Sequence, residues 1–161
     1  MKIIITDTGI YPGVVQTGDL VIHDTKKIKA CTGCLACWDR TPGRCIHEDS
    51  MKNIGYFFSK ADEVVIVSRC IYGSYSSFVQ KIMERTLPYF LPDYEIRDGK
   101  MYHKKRYSNV IAFSAYFYGD DLSDEEKKLL EERMRRLVQK FGGKMKQIIF
   151  VRDALQIGGL S

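Results

Sequence analysis

Apolar runs unbroken by polar alternation mark strands buried on both faces, the habit of parallel sheets. Five such runs punctuate the chain: Met1–Asp7 around Ile3, Ile4 and Ile5, then Leu20–Asp24, Val64–Ser68, Asn109–Tyr116 and Lys146–Val151. Val64-Val-Ile-Val-Ser68, β-branched and ending abruptly in a polar residue, reads as the central strand. Between the later runs the apolar spacing changes to the helical period. Met51, Ile54, Phe57 and Phe58 form one stripe, Phe78, Val79, Ile82 and Met83 a second, and Leu129, Leu130, Met134, Leu137, Val138 and Phe141 a third.

The ends of these helices are written in capping chemistry. Asp49 or Ser50 is expected to open the first, through about Lys60, and Ser76 the second, from Ser77 to about Thr86, before Pro88. Ser123-Asp-Glu-Glu126 is a capping box with carboxylates at the helix N-terminus, and Gly142 stops that helix. Glu84 and Arg85 read as surface charges with a local ion pair of small value. Residues 88–108 are too long for a structureless loop, and Tyr94 to His103 around Asp98-Gly99 fits a hairpin with a type I′ turn.

Two stretches lack either period. Thr8 to Gly18 is broken by Pro12, Gly13 and Gly18 and predicts a loop with no helix. The tail from Arg152 to Ser161 carries no clear chemistry. His23, alone on a short alternating strand, reads as a surface or edge residue.

The densest chemistry lies at Cys31, Cys34, Cys37 and Cys45, four of the five cysteines, spaced C-x2-C-x2-C-x7-C. Three readings follow from that spacing. Short steps let thiolates converge on an iron–sulfur cluster. Four thiolates also suit tetrahedral zinc, although zinc modules use two separated knuckles. A reduced, buried turn needs no metal, its sulfurs serving as small hydrophobes.

Taken in order, Cys31, Gly33, Cys34, Cys37, Gly43 and Cys45, then Asp49 and Met51, then Tyr72-Gly73-Ser74, then Lys81 and Arg85 resemble the NADPH-dependent FMN reductase group of flavodoxin-like proteins. That group includes the iron–sulfur flavoproteins. The resemblance covers about half the chain and implies a three-layer α/β/α sandwich, a single domain over 1–161. Its mostly parallel sheet has five strands in the order 2-1-3-4-5, with the first helix absent or vestigial and a hairpin excursion near 94–103. Three departures stand out. The phosphate-cradling loop and first helix have no counterpart in Thr8–Gly18, Cys70 stands where the group has Pro, and Glu84 replaces an Asp.

The resemblance implies FMN, NAD(P)H as an electron donor, and a cofactor site outside the carboxyl ends of the strands. Its expected residues are Thr6, Thr8, Arg69, Cys70, Ile71, Tyr72, Gly73, Ser74, Tyr116, Tyr118 and Gly119. Gly73 is expected to allow close backbone approach and Tyr72 to cover a flat ring. No side chain is assigned as acid or base, because the hydride chemistry belongs to the cofactor. Many relatives keep the cysteines without a cluster, so the reduced turn is the expectation. A 4Fe–4S cluster on Cys31, Cys34, Cys37 and Cys45 is the other outcome.

Composition changes this picture little. The chain's 161 residues are 45% hydrophobic and 28% charged, enough for one sizeable core. A net charge of +5 suits an anionic cofactor, and the one basic, aromatic arm (Lys100–Tyr107) is a poor nucleic-acid footprint. Without a membrane-length run or signal core, a cytoplasmic protein with reduced thiols is expected, having no membrane or nucleic-acid partner. The expected partners are a small-molecule or protein electron donor and acceptor, and a second copy in a homodimer or homotetramer. Two functions follow: an FMN-binding oxidoreductase passing electrons to a small acceptor, or a flavodoxin-fold protein that has lost FMN and serves as a non-enzymatic binding or scaffold protein.

Overall fold

The computed structural model describes residues 1–23 and 27–160. The elements follow as β1 (Lys2–Thr6), β2 (Leu20–His23), α1 (Ile54–Ser59), β3 (Glu63–Arg69) and α2 (Ser77–Glu84). After a 3-10 turn at Leu87–Tyr89 come β4 (Phe90–Arg97), β5 (Lys100–Lys105), β6 (Ala112–Tyr118), α3 (Asp124–Phe141), β7 (Lys144–Val151) and α4 (Ala154–Gly158). The fold is a flavodoxin-like three-layer α/β/α sandwich. Its five-stranded sheet is parallel, in the order β2-β1-β3-β6-β7, which is the expected 2-1-3-4-5 once the hairpin strands β4 and β5 are set apart. Asp24, the expected end of the second strand, and Ser161 lie outside the described residues.

Contacts divide the chain into two units, Met1–Asp24 with Asp62–Gln80 and Val110–Ser161, and Thr25–Ala61 with Lys81–Asn109. The first unit holds the sheet. Alternation along its strands sends Ile3, Ile5, Val64, Ile66, Phe113 and Phe117 to one face, all fully buried. There Phe113 meets Phe141 of α3 at 5.4 Å between ring centroids, and Phe117 stacks on Tyr75 at 6.1 Å. Each such side chain contributes roughly 1.5–3 kcal/mol. The other face, with Ile4, Val65, Val67 and Tyr116, receives Ile157 of α4 and Ile10, Tyr11 and Val15 from the segment after β1. That irregular segment therefore does the covering work of a first helix. The Gly13 amide, donating to Leu160 O at 3.0 Å, ties it to the tail.

Several element ends differ from the sequence reading for physical reasons. The helix expected from Asp49 begins only at Ile54, after turns, because the Asp49 carboxylate is engaged by Arg85. Phe57 is half-buried rather than core. In α3 the capping box and the left-handed Gly142 stop are present, but Leu129 is exposed and Leu137 only half-buried. The strand expected over Asn109–Tyr116 runs instead from Ala112 to Tyr118, so Phe117 and Tyr118 belong to it. The featureless tail contains α4, opened by an Asp153 capping box.

The second unit holds α1, the cysteine segment and the hairpin. Its antiparallel arms pair Tyr94 with His103 and Arg97 with Lys100, and Asp98 and Gly99 have φ of 50° and 72°, as a type I′ turn requires. The arms run past the expected 94–103 to Phe90 and Lys105, with a register shift between Phe90 and Tyr94, where Pro92 has no amide to donate. Among the described residues no helix is long and apolar enough to cross a membrane.

Candidate functional site

The carboxyl ends of β1, β3 and β6 lie side by side, Thr6 level with Val67 and Arg69 level with Tyr118. This is the edge where doubly wound sheets bind ligands. Beyond β3 the chain turns through Ile71-Tyr72-Gly73-Ser74, closed by reciprocal bonds between Ile71 and Ser74 at 3.0 and 2.9 Å. Tyr72 and Gly73 both have positive φ, 49° and 70°. A tyrosine in the left-handed region is costly, and Tyr72 is also 92% exposed at the tip of the turn. Its strain is not repaid by packing.

A Cβ at Gly73 would lie 2.8 Å from Leu129 Cδ1, so the missing side chain serves the turn and its contact with α3. The turn then leads into α2, whose N-terminus is capped by Ser76 Oγ accepting from the Val79 amide at 3.4 Å. Ser68 Oγ accepts from the Ser76 amide at 2.8 Å and donates to Arg69 O at 2.9 Å.

The polar side chains at the end of β1 bond to the segment that follows it. Thr6 is fully buried, its hydroxyl donating to Ile10 O at 2.9 Å, and Thr8 Oγ accepts from the Ile10 amide at 3.0 Å. The sequence reading passed over Asp7. Its carboxylate accepts from the Arg69 amide at 2.8 Å and from the Tyr118 hydroxyl at 3.0 Å, bridging all three strand ends. Burial pushes the Tyr118 phenol up, and the Asp7 charge and hydrogen bond push it further in the same direction. The abrupt polar end of the first strand was the only sequence signal for this contact.

The remaining expected residues separate into surface and core. Arg69, Ile71 and Tyr72 are exposed, and Ser74 and Tyr118 are half-buried. Cys70 is buried, its amide donating to Tyr118 O at 2.9 Å, and burial raises its thiol pKa. Tyr116, expected at a strand end, sits two residues inside β6, is 2% exposed and accepts from Gln147. Gly119 is buried against Leu122, with space for a Cβ only 3.0 Å from Leu122 Cδ2.

The second constellation lies within the second unit. Thr41 and Gly43 amides donate to Ala36 O and Cys37 O at 2.8 and 3.0 Å, and the Cys45 amide to Lys52 O at 2.9 Å. These bonds fold the Pro42-Gly43 bend back, so that Cys31, Cys34, Cys37 and Cys45 line one small cavity with His47 and Arg85. All are free thiols; Cys34 is exposed and Cys37 buried. The Ala36 amide, opposed in part by burial and aided by the Thr32 side chain, lowers the Cys34 pKa. Burial, then the neighbouring Cys45, raises Cys37 to about 11.

The cavity has a volume of about 20 Å³, room for about one water. Among the described residues no group of three or more His, Cys, Asp or Glu is arranged to hold a metal ion. Trp38 faces the hairpin, its indole donating to Phe90 O at 3.1 Å and its ring 4.9 Å from that of His103.

Behind the cysteines sits an ion pair whose two side chains are buried. Arg85 Nη1 and Nη2 donate to the two Asp49 oxygens at 2.9 and 3.0 Å, and Nη1 donates also to Lys29 O at 2.7 Å. Burial alone would raise the Asp49 pKa; the Arg85 hydrogen bonds and the Lys29 and Met51 amides outweigh it and bring the group to about 2.

No family model matches the sequence, and no curated protein matches it. Among solved structures, the chain is similar to an FMN-dependent NADH-azoreductase from Bacillus anthracis str. Ames Ancestor in complex with FMN. The match has a TM-score of 0.54 and 12% identity over 98% of this chain and 91% of that one. The azoreductase AzrA gives a TM-score of 0.51 at 10% identity over 97% of this chain and 89% of the other. At such identities the likeness speaks for the fold alone.

Proposed function

We propose that the chain is a flavin-dependent oxidoreductase, passing electrons from NAD(P)H or a redox partner to a small acceptor. The carrying observation is Tyr72: an exposed aromatic ring held in a strained backbone conformation at the carboxyl end of the central strand. A flat ring laid on the 71–74 turn would meet the Tyr72 side chain and the polar edge of Ser74. The similar azoreductase structure holds FMN, which supports the reading through fold analogy.

The ring half of FMN fits this edge, and the phosphate half does not fit the β1 loop. There the Arg69 amide is already donated to Asp7 and the Thr6 hydroxyl to Ile10 O, and a carboxylate stands at the strand end. The exposed Arg69 guanidinium is the cation at hand for a phosphate. A bound flavin would supply the hydride and electron chemistry. The chain's own part is to seat the ring on Tyr72 and leave one ring face open to the acceptor.

Asp7 favours a second reading, in which the fold has given up flavin and works by binding alone. Titration of the purified protein with FMN and with riboflavin, read by flavin fluorescence, separates the two. Saturable quenching, weakened about tenfold by Tyr72→Ala, supports the oxidoreductase. No binding of either flavin leaves the non-enzymatic reading in its place.

A further inference from the structure

The cysteine cavity shows an asymmetry that neither flavin binding nor packing uses. In the run Cys34-Leu35-Ala36-Cys37 the first thiol is exposed and the second is 8% exposed. Between them Leu35 takes a left-handed φ of 56°, and its carbonyl accepts from the Trp38 amide at 2.9 Å, so the chain reverses sharply at this point. A C-x2-C turn with an accessible first sulfur and a sheltered second is the arrangement thiol–disulfide exchange requires. The entering sulfur must meet a substrate, and the resolving one must be kept from it.

The cavity wall adds an independent sign. Among the described residues, Arg85, 1% exposed, keeps its Nε without a hydrogen-bond partner, and so does His47 at its buried Nε2. Both residues line the cavity beside the sulfurs. Unpaired polar atoms in a buried wall are costly for a turn that only fills space. Here they put a cation and an imidazole beside sulfurs that change charge.

We propose that Cys34 and Cys37 form a two-electron thiol–disulfide exchange site, with Cys34 as entering nucleophile and Cys37 as resolving thiol, acting on small accessible disulfides of the glutathione class. The Cys34 thiolate attacks one sulfur of the substrate disulfide, whose S–S bond breaks and releases one thiolate. That thiolate takes the Cys37 proton. The Cys37 sulfur then attacks Cys34 Sγ, the mixed disulfide breaks, and the second thiolate leaves to be protonated by water. Two electrons have passed from the dithiol to the substrate, and a Cys34–Cys37 disulfide remains. Cys31 is half-buried, its Sγ accepting from the Gly33 amide at 3.5 Å, and takes no part. The site needs no flavin, so it stands apart from the function proposed above.

The test uses the whole chain, reduced, freed of metal with a chelator and desalted without oxygen, then given oxidised glutathione. About two of the five thiols should disappear with release of about two glutathione per chain, and peptide mapping should find Cys34 joined to Cys37. Cys37→Ser should halt at a glutathione adduct on Cys34, Cys34→Ser should slow thiol loss about tenfold or more, and Cys31→Ser should change neither. Circular dichroism before oxidant confirms that each variant is folded. Five thiols surviving excess oxidant, glutathione spread evenly over the cysteines, or a disulfide made by Cys31 or Cys45 instead would each overturn the assignment.

Discussion

Arg85 and Asp49, thirty-six residues apart in sequence, meet as a two-pronged ion pair with side-chain exposures of 0% and 4%. The Lys29 carbonyl takes a further Arg85 hydrogen and the Lys29 amide donates back to Asp49, at 2.7 and 3.0 Å. One guanidinium thus fastens the start of the cysteine segment, the turn before α1 and the end of α2. Removing one partner leaves a buried charge unpaired, which costs roughly 3–5 kcal/mol. Arg85→Ala should lower the urea midpoint by that amount of stability. Arg85→Lys should recover only part, since an ammonium cannot match both carboxylate oxygens. A midpoint unchanged within error would show that the pair holds nothing together.

The same pair sets an acid limit. Asp49 titrates at about 2 in the folded chain, below its ordinary 3.8. A lowered carboxylate pKa means stability that is present above the unfolded value and lost as pH falls through the folded one. Stability should therefore decline between about pH 4 and pH 2, and Asp49→Asn should flatten that decline while lowering stability at neutral pH. Denaturant melts across this range, wild type against variant, give the comparison.

Much of this architecture is legible in the sequence, because its signals are local. The unbroken Ile3–Ile5 and Val64–Val67 runs, the Ser123–Glu126 capping box and Asp98-Gly99 each specify their own element. The Arg85–Asp49 pair is not local. Read alone, Asp49 is a plausible helix cap and Arg85 a surface charge, and only tertiary packing brings them together. Asp7 was hidden for the same reason: its partners lie 62 and 111 residues away. Gly73 shows a subtler limit, since a glycine in a turn looks the same whether its missing side chain admits a ligand or Leu129.

The Tyr72-Gly73 turn should trade stability against binding. Tyr72 holds a left-handed φ that glycine adopts freely, and its ring makes little contact. Tyr72→Gly should thus stabilise the fold by roughly 1 kcal/mol while weakening flavin binding. Gly73→Ala should do the reverse to the fold, because its Cβ would press on Leu129 and its φ is unfavourable for any other residue. A loss of about 1–3 kcal/mol is expected. Equal melting curves for Tyr72→Gly and wild type would mean that the turn stores no strain.

Asp7 supplies the last test, because it stands where a phosphate-binding loop would otherwise begin. Its carboxylate occupies the Arg69 amide that could have faced an anion. A phosphate brought to the ends of β1 and β3 would meet this carboxylate at short range, with the exposed Arg69 guanidinium in partial compensation. A surface ion pair of that kind is worth about 1 kcal/mol or less and weakens with salt. The wild type should accordingly bind FMN no more than about tenfold more tightly than riboflavin, a gap that closes at high salt. Asp7→Asn keeps the shape and removes the charge, so FMN affinity should rise several-fold while riboflavin affinity stays level. The one amide oxygen can keep the Tyr118 hydroxyl bond, and the Arg69 amide is then released toward the phosphate. Isothermal titration of both flavins against both proteins, at low and high salt, reads all the differences at once. A wild type that prefers FMN a hundredfold would mean that an amide cup forms on binding, and that the Asp7 bridge opens to make it.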